Sequence, residues 1–156
     1  MAIAITLRSY LDGQGVDYEV LSHPHSETSL VTAATAHVPG DRLAKAVIVK
    51  DSEHYMMVVL PADQHVHLGR LHQQLGHEVG LASEQELHSL FPDCEQGAIP
   101  PLGTAYQVDT LVDYSMKGDE DVFFESGDHE HLIRMNAREF TSLLGGSQRV
   151  DVGKHR

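Results

Sequence analysis

Apolar residues recur at two spacings along this chain, every three to four residues in some segments and every second residue in others. Leu7, Tyr10 and Leu11 predict a short first helix over residues 6–13, ended by Gly13 and Gly15. Residues 17–21 alternate like a strand, with Tyr18 and Val20 on one side. Residues 28–37, rich in Ala and Thr, predict a second helix closed by Pro39-Gly40. Residues 45–50 and 54–60 are two β-branched or apolar runs separated by Asp51-Ser52-Glu53, the pattern of a β-hairpin with an exposed polar turn. Val66, Leu68, Leu71 and Leu75 share one helical face and predict a third helix over residues 61–75, stopped by Gly76.

Residues 79–82 suit a short strand, and Ser83 with Glu86 forms a capping box for a helix running to Phe91. Residues 107–113, 121–125 and 131–135 read as further strands. Asn136 with Glu139 opens a last helix that ends at Gly145-Gly146, and the polar tail from Ser147 is expected to fray. Helices and strands are interleaved, yet the hairpin-like pairs exclude a purely parallel sheet. The expected class is α+β, a mixed and partly barrel-like sheet with helices packed outside it.

The chain of 156 residues carries no internal repeat or linker, so residues 1–146 are expected to form one domain, with 147–156 as its tail. Charge narrows the partners. Eleven Lys plus Arg against 23 Asp plus Glu give a net charge of −12, the reverse of a broad phosphate-binding surface. Contact with nucleic acid must then be local, through a few lysines and backbone amides. Apolar runs fall short of the roughly 20 residues of a membrane span. The N-terminus lacks the pattern of a signal peptide, and the single cysteine excludes an intrachain disulfide. A cytoplasmic location is expected.

Twelve histidines raise metal binding first. The pairs His23/His25, His65/His67 and His129/His131 would each place two rings on one side of an extended segment, but HExxH and CxxC patterns are absent. Neither a metal nor another cofactor is expected. Cys94 lies between Asp93 and Glu95, whose charges raise a thiol pKa and disfavour a nucleophile. Serine-hydrolase, Walker and dinucleotide-binding motifs are likewise missing.

Three segments remain. In Gly97-Ala98-Ile99-Pro100-Pro101-Leu102-Gly103 the adjacent prolines remove two backbone donors and fix two φ angles, while glycines flank them. This makes either a plain rigid turn or a stiff loop that holds a ligand by its backbone. Lys45 opens the apolar run Lys45-Ala46-Val47-Ile48-Val49 and must either snorkel to the surface or serve a cleft. Gly127-Asp128-His129 forms a tight turn between two strands, where His129 is either functional or merely exposed, with His131 on the same side of an extended chain.

In their order and spacing these three segments resemble the YbaK/prolyl-tRNA synthetase-associated domain family, trans-editing aminoacyl-tRNA deacylases, over roughly residues 5–145. The resemblance implies the fold of that family and hydrolysis of the ester joining a wrong amino acid to the 3′ end of a tRNA. Lys45, Gly97 and Pro101 would be the catalytic positions, Lys45 contacting the terminal nucleotide as a point charge and loop backbone groups orienting the carbonyl or water. Ala98, Ile99, Pro100, Gly103, Gly127 and His129 would bind substrate. The implied partners are the acceptor end of mischarged tRNA and an aminoacyl-tRNA synthetase, with no membrane. The alternative expectations are a non-catalytic module of the same fold that binds a nucleotide or an aminoacyl-adenylate-like ligand, and a histidine-rich metal-binding protein.

Overall fold

A computed structural model describes residues 3–25, 32–33, 37–116 and 120–155. Its centre is the hairpin expected from the apolar runs: β2 (Leu43–Lys50) pairs antiparallel with β3 (Tyr55–Pro61), Lys45 opposite Leu60. Both strands are apolar at nearly every position because helices or loops cover both faces. Around them lie β1 (Glu19–Ser22), β5 (Gly80–Leu81), β6 (Asp109–Asp113), β7 (Val122–Glu125), β8 (His131–Met135) and β9 (Gln148–Val150). The path is β1-β8-β7-β2-β3-β6-β9, with β5 added to the far end of β2. β2–β7, β3–β6 and β6–β9 are parallel and the other pairs antiparallel, so the sheet is mixed as expected. It is open, with edges at β1 and β9.

One face of the sheet packs Ala44, Ile48, Met57, Phe124 and Ile133 against Leu7 and Leu11 of α1 (Ile5–Gln14) and Phe140 and Leu143 of α4 (Ala137–Leu143). The other face divides. Val49, Val58, Leu60 and Leu111 meet Leu71 of α2 (Leu68–Leu75), while Leu43, Phe123 and Leu132 meet Ala33 and Val38. α3 (Glu84–Leu90) carries the expected capping box: Ser83 Oγ accepts from Glu86 N, and Glu86 Oε1 accepts from Ser83 N.

Two expectations need correction. The predicted helix over residues 61–75 is helical only from Leu68, because Gln64–Val66 form β4, which pairs antiparallel with β10 (Gly153–His155). The tail does not fray. Val150 and Val152 are fully buried, and the backbone amides of Val152 and Gly153 both donate to Asp113 Oδ1 at 2.8 Å. Local periodicity could not show either feature, since β4 and β10 pair with each other from far apart in sequence. The second predicted helix, residues 28–37, falls mostly outside the described residues; Thr32 and Ala33 are helical.

Candidate functional site

The Gly97–Gly103 loop is fixed by the segment that leads into it. α1 makes no side-chain cap of its own; Asp93 Oδ2 accepts from Thr6 N at 2.8 Å and caps it from a distance. Asp93 also accepts from the Tyr106 hydroxyl. Glu95 N then donates to Gly127 O at 2.7 Å, and Ala98 N to Glu95 O. Ala98, Ile99, Pro100, Pro101 and Leu102 are all buried, Ile99 and Leu102 within the α1-side core. The exposed part is the short rim Glu95-Gln96-Gly97, where Gly97 has φ +82°. Gly103 begins a 3₁₀ turn (Gly103–Tyr106), and a Cβ there would collide with Thr110 and the Val108 carbonyl, so its lack of side chain serves close packing.

The Gly127-Asp128-His129 turn locks onto this rim. Gly127 sits at φ +108°, with room for no side chain: a Cβ would lie 2.9 Å from Ala4 Cβ. Asp128 Oδ1 accepts from Glu130 N and His131 N, and Oδ2 lies 2.5 Å from His131 Nδ1. Burial pushes the Asp128 carboxyl pKa up, but these amides and the His131 ring outweigh it and leave it lowered. His129 adopts φ +60°, a left-handed conformation that costs a residue with a Cβ about 1–2 kcal/mol. The ring is 2 % exposed and its Nε2–H is donated to the Gln96 carbonyl. His129 and His131 therefore diverge, one to the rim and the other to Asp128.

Lys45 reaches the same neighbourhood through the sheet. The parallel register pairs Leu43 with Phe123 and Ala44 with Phe124; one residue further on, Lys45 and Glu125 follow on adjacent strands. Alternation places both on the face of Leu43 and Phe123. Lys45 is half-buried. Glu125, only 3 % exposed, is the hub that residue patterns had not singled out. Its Oε2 accepts from Thr32 Oγ1 at 2.9 Å and lies 3.5 Å from His129 Nδ1, while its Oε1 lies 3.4 Å from His23 Nε2. Burial raises the Glu125 pKa, opposed by Thr32 and the two imidazoles. A glutamate ending the apolar strand Val122-Phe123-Phe124 was the available signal. The structure thus joins the loop directly to the turn and carries Lys45 on the strand next to the one that ends at Glu125, on the same face of the sheet.

Other groups are excluded on chemistry. Cys94 is half-buried, and desolvation together with Asp93 pushes its thiol up to about 12 and leaves it un-ionised. Among the described residues no group of three or more His, Cys, Asp and Glu is placed to hold a metal ion, and no helix is long and apolar enough to cross a membrane. A broad cleft of about 720 Å³ passes Arg42, Asp113, Asp121 and Phe140, but its rim of carboxylates repels phosphate and none of the three segments lines it. A small cavity of about 110 Å³, lined by Leu87, Phe91, Cys94, Gln96 and Ile99, abuts the loop.

An open mixed sheet flanked by helices, with a proline-stiffened rim clamped to a histidine turn, defines an editing-type α+β domain. Residues 23–143 match the Aminoacyl-tRNA editing domain, and the chain belongs to that family. No curated protein matches it. Solved structures with this fold include hypothetical protein APE2540, 22% identical with a TM-score of 0.83, covering 96% of this chain and 99% of that one. A protein described as a candidate trans-editing enzyme for prolyl tRNA synthetase is 18% identical, with a TM-score of 0.82 over 96% of this chain and 95% of that one. A candidate signal transduction protein from Marinobacter aquaeolei VT8 has a TM-score of 0.78 at 16% identity; the match covers 97% of this chain but 31% of that one.

Proposed function

We propose that this protein is a trans-acting aminoacyl-tRNA deacylase, hydrolysing the ester of mischarged tRNA, with the acceptor end as its substrate contact. One observation carries the reading: the family match spans Lys45, the Gly97–Gly103 loop and the Gly127–His129 turn, and the loop and turn are bonded to each other, while Lys45 lies on the strand paired with the one that leads into the turn.

In this reading Lys45 meets the terminal phosphate, a compact cation in a chain of net charge −12 that confines the nucleic-acid footprint to the acceptor end. The exposed Gly97 end of the loop orients the ester carbonyl or the attacking water, and the buried backbone from Ala98 to Pro101 holds it in place. Fixed main-chain dipoles need no reorganisation as charge develops. The ester is activated, so positioning and these dipoles suffice without a side-chain nucleophile, in keeping with a thiol held neutral at Cys94. Ala98, Ile99, Pro100 and Gly103 shape the loop, and Gly127 and His129 hold its rim. The cavity beside the loop, walled by Leu87, Phe91, Cys94 and Ile99, favours a small amino acid, although one methylene is worth only about 1–3 kcal/mol.

The test is a panel of tRNAs mischarged with alanine, serine or cysteine, followed for ester loss. Acceleration over buffer on at least one supports the reading, and none on any removes it. The acidic surface favours a second reading, a non-catalytic module for a nucleotide or aminoacyl-adenylate-like ligand, which predicts ligand-induced thermal stabilisation with no hydrolysis.

A further inference from the structure

Glu125 faces two imidazoles whose outward nitrogens are already committed. His23 Nδ1 lies 2.7 Å from the Pro24 carbonyl, and His129 Nε2 contacts the Gln96 carbonyl. Carbonyl oxygens only accept, so both of those nitrogens carry hydrogens. In a neutral ring the inward nitrogen then carries a lone pair. For His23 that nitrogen is 3.4 Å from Glu125 Oε1, and for His129 it is 3.5 Å from Oε2. An ionised carboxylate also offers only lone pairs. With both rings neutral, each inward nitrogen would turn a lone pair toward the lone pairs of the carboxylate oxygen it faces, a costly arrangement where side chains are 1–4% exposed. Among the described residues His129 Nδ1 meets no hydrogen-bond partner. At least one proton beyond those of two neutral rings and a carboxylate removes the conflict.

We propose that Glu125 is a positioning residue of the editing site: it shares that proton with His23 and His129, and so keeps His129 Nε2–H donated to Gln96 and the Gly97 rim in place. The site assignment rests on the function proposed above; the proton sharing does not. The strained φ of His129 fits a residue held from both sides. Other charged groups face the cluster. His25 packs edge-on against the His129 ring at 5.5 Å and lies 3.7 Å from Glu95. Lys45 follows Glu125 on the neighbouring strand, and Asp128 is bound to His131 two residues along the turn. A positive charge on Lys45 or His25 would favour an ionised Glu125, against the burial that favours its neutral form, and the negative charge of Asp128 would act with burial.

The experiment is an imidazole ¹⁵N titration of the wild type and of Glu125→Gln between pH 5 and 8, with Gln96 and Gly97 amide signals followed alongside. In the wild type His23 should carry hydrogen on Nδ1 and His129 on Nε2, and both rings should titrate together. In Glu125→Gln the two titrations should separate and the rim amides shift. On a responsive mischarged tRNA the same variant should lose up to about 100-fold in kcat, the scale of a reacting group misplaced by about 1 Å, with KM changed less than about twofold. Independent ring titrations in the wild type overturn the proposal, as do unmoved rim signals in the variant. If Glu125→Gln fails to fold, the wild-type titration decides alone. A wild type inert on every tRNA counts against the function, while the ring and rim signals still judge Glu125 separately.

Discussion

His129 donates its Nε2–H to the main-chain carbonyl of Gln96, 33 residues earlier in the chain, and in doing so ties the histidine turn to the exposed rim of the proline loop. Glu95 N to Gly127 O is the second tie. His129→Ala should break the first and leave the buried Glu125 carboxyl without the ring it faces. The expected loss is about 1–3 kcal/mol in urea unfolding, together with slower ester hydrolysis. A variant of unchanged stability would show that the contact holds nothing.

Gly127 has no room for a methyl group and a φ of +108°. Gly127→Ala should destabilise by roughly 1–3 kcal/mol through backbone strain alone, more if Ala4 cannot yield. Thermal denaturation gives the answer.

The C-terminal strand depends on Asp113, which is buried and accepts from the amides of Val152, Gly153 and Ser115. Asp113→Ala should leave these amides unpaired and release β10 from β4. Hydrogen exchange at Val152 and Gly153 should accelerate well beyond that at the core amides of β3.

Acid and alkali should act on different carboxylates. Glu125 has its pKa raised, mainly by burial, so its contribution to stability is complete below the unfolded value of about 4.3 and fades as pH rises through the raised folded value. Asp128 is lowered on balance, so its contribution is present above about 3.9 and is lost as pH falls through the lowered folded value. In urea melts from pH 3 to 8, Glu125→Gln should lose less stability than the wild type as pH rises above about 4.3. The gap between wild type and Asp128→Asn should instead narrow below about pH 4. Parallel curves would contradict both assignments.

Much of this was legible in the residues. The β2–β3 hairpin, the Ser83–Glu86 capping box and the β8 strand follow from local pattern, because each is stabilised by neighbours in sequence. β4 and β10 were not, since their pairing joins segments far apart in sequence. The site divides in the same way. Lys45, the proline loop and His129 stand out as residues misplaced for folding alone, whereas Glu125 and His23 become a pair only when β1, β8 and β7 align. Thr32 joins them across 93 residues of chain, a distance no spacing rule spans.

The central claim is that a cation beside a bonded loop and turn removes the wrong amino acid from tRNA. Its most direct measurement is single-turnover ester loss from tRNA mischarged with alanine, serine or cysteine, by wild type and by Lys45→Ala of matched thermal stability. The account predicts clear acceleration by the wild type on at least one of these and a loss of roughly 100-fold or more in the variant. Equal rates for the two proteins, or a wild-type rate no faster than buffer, would contradict it.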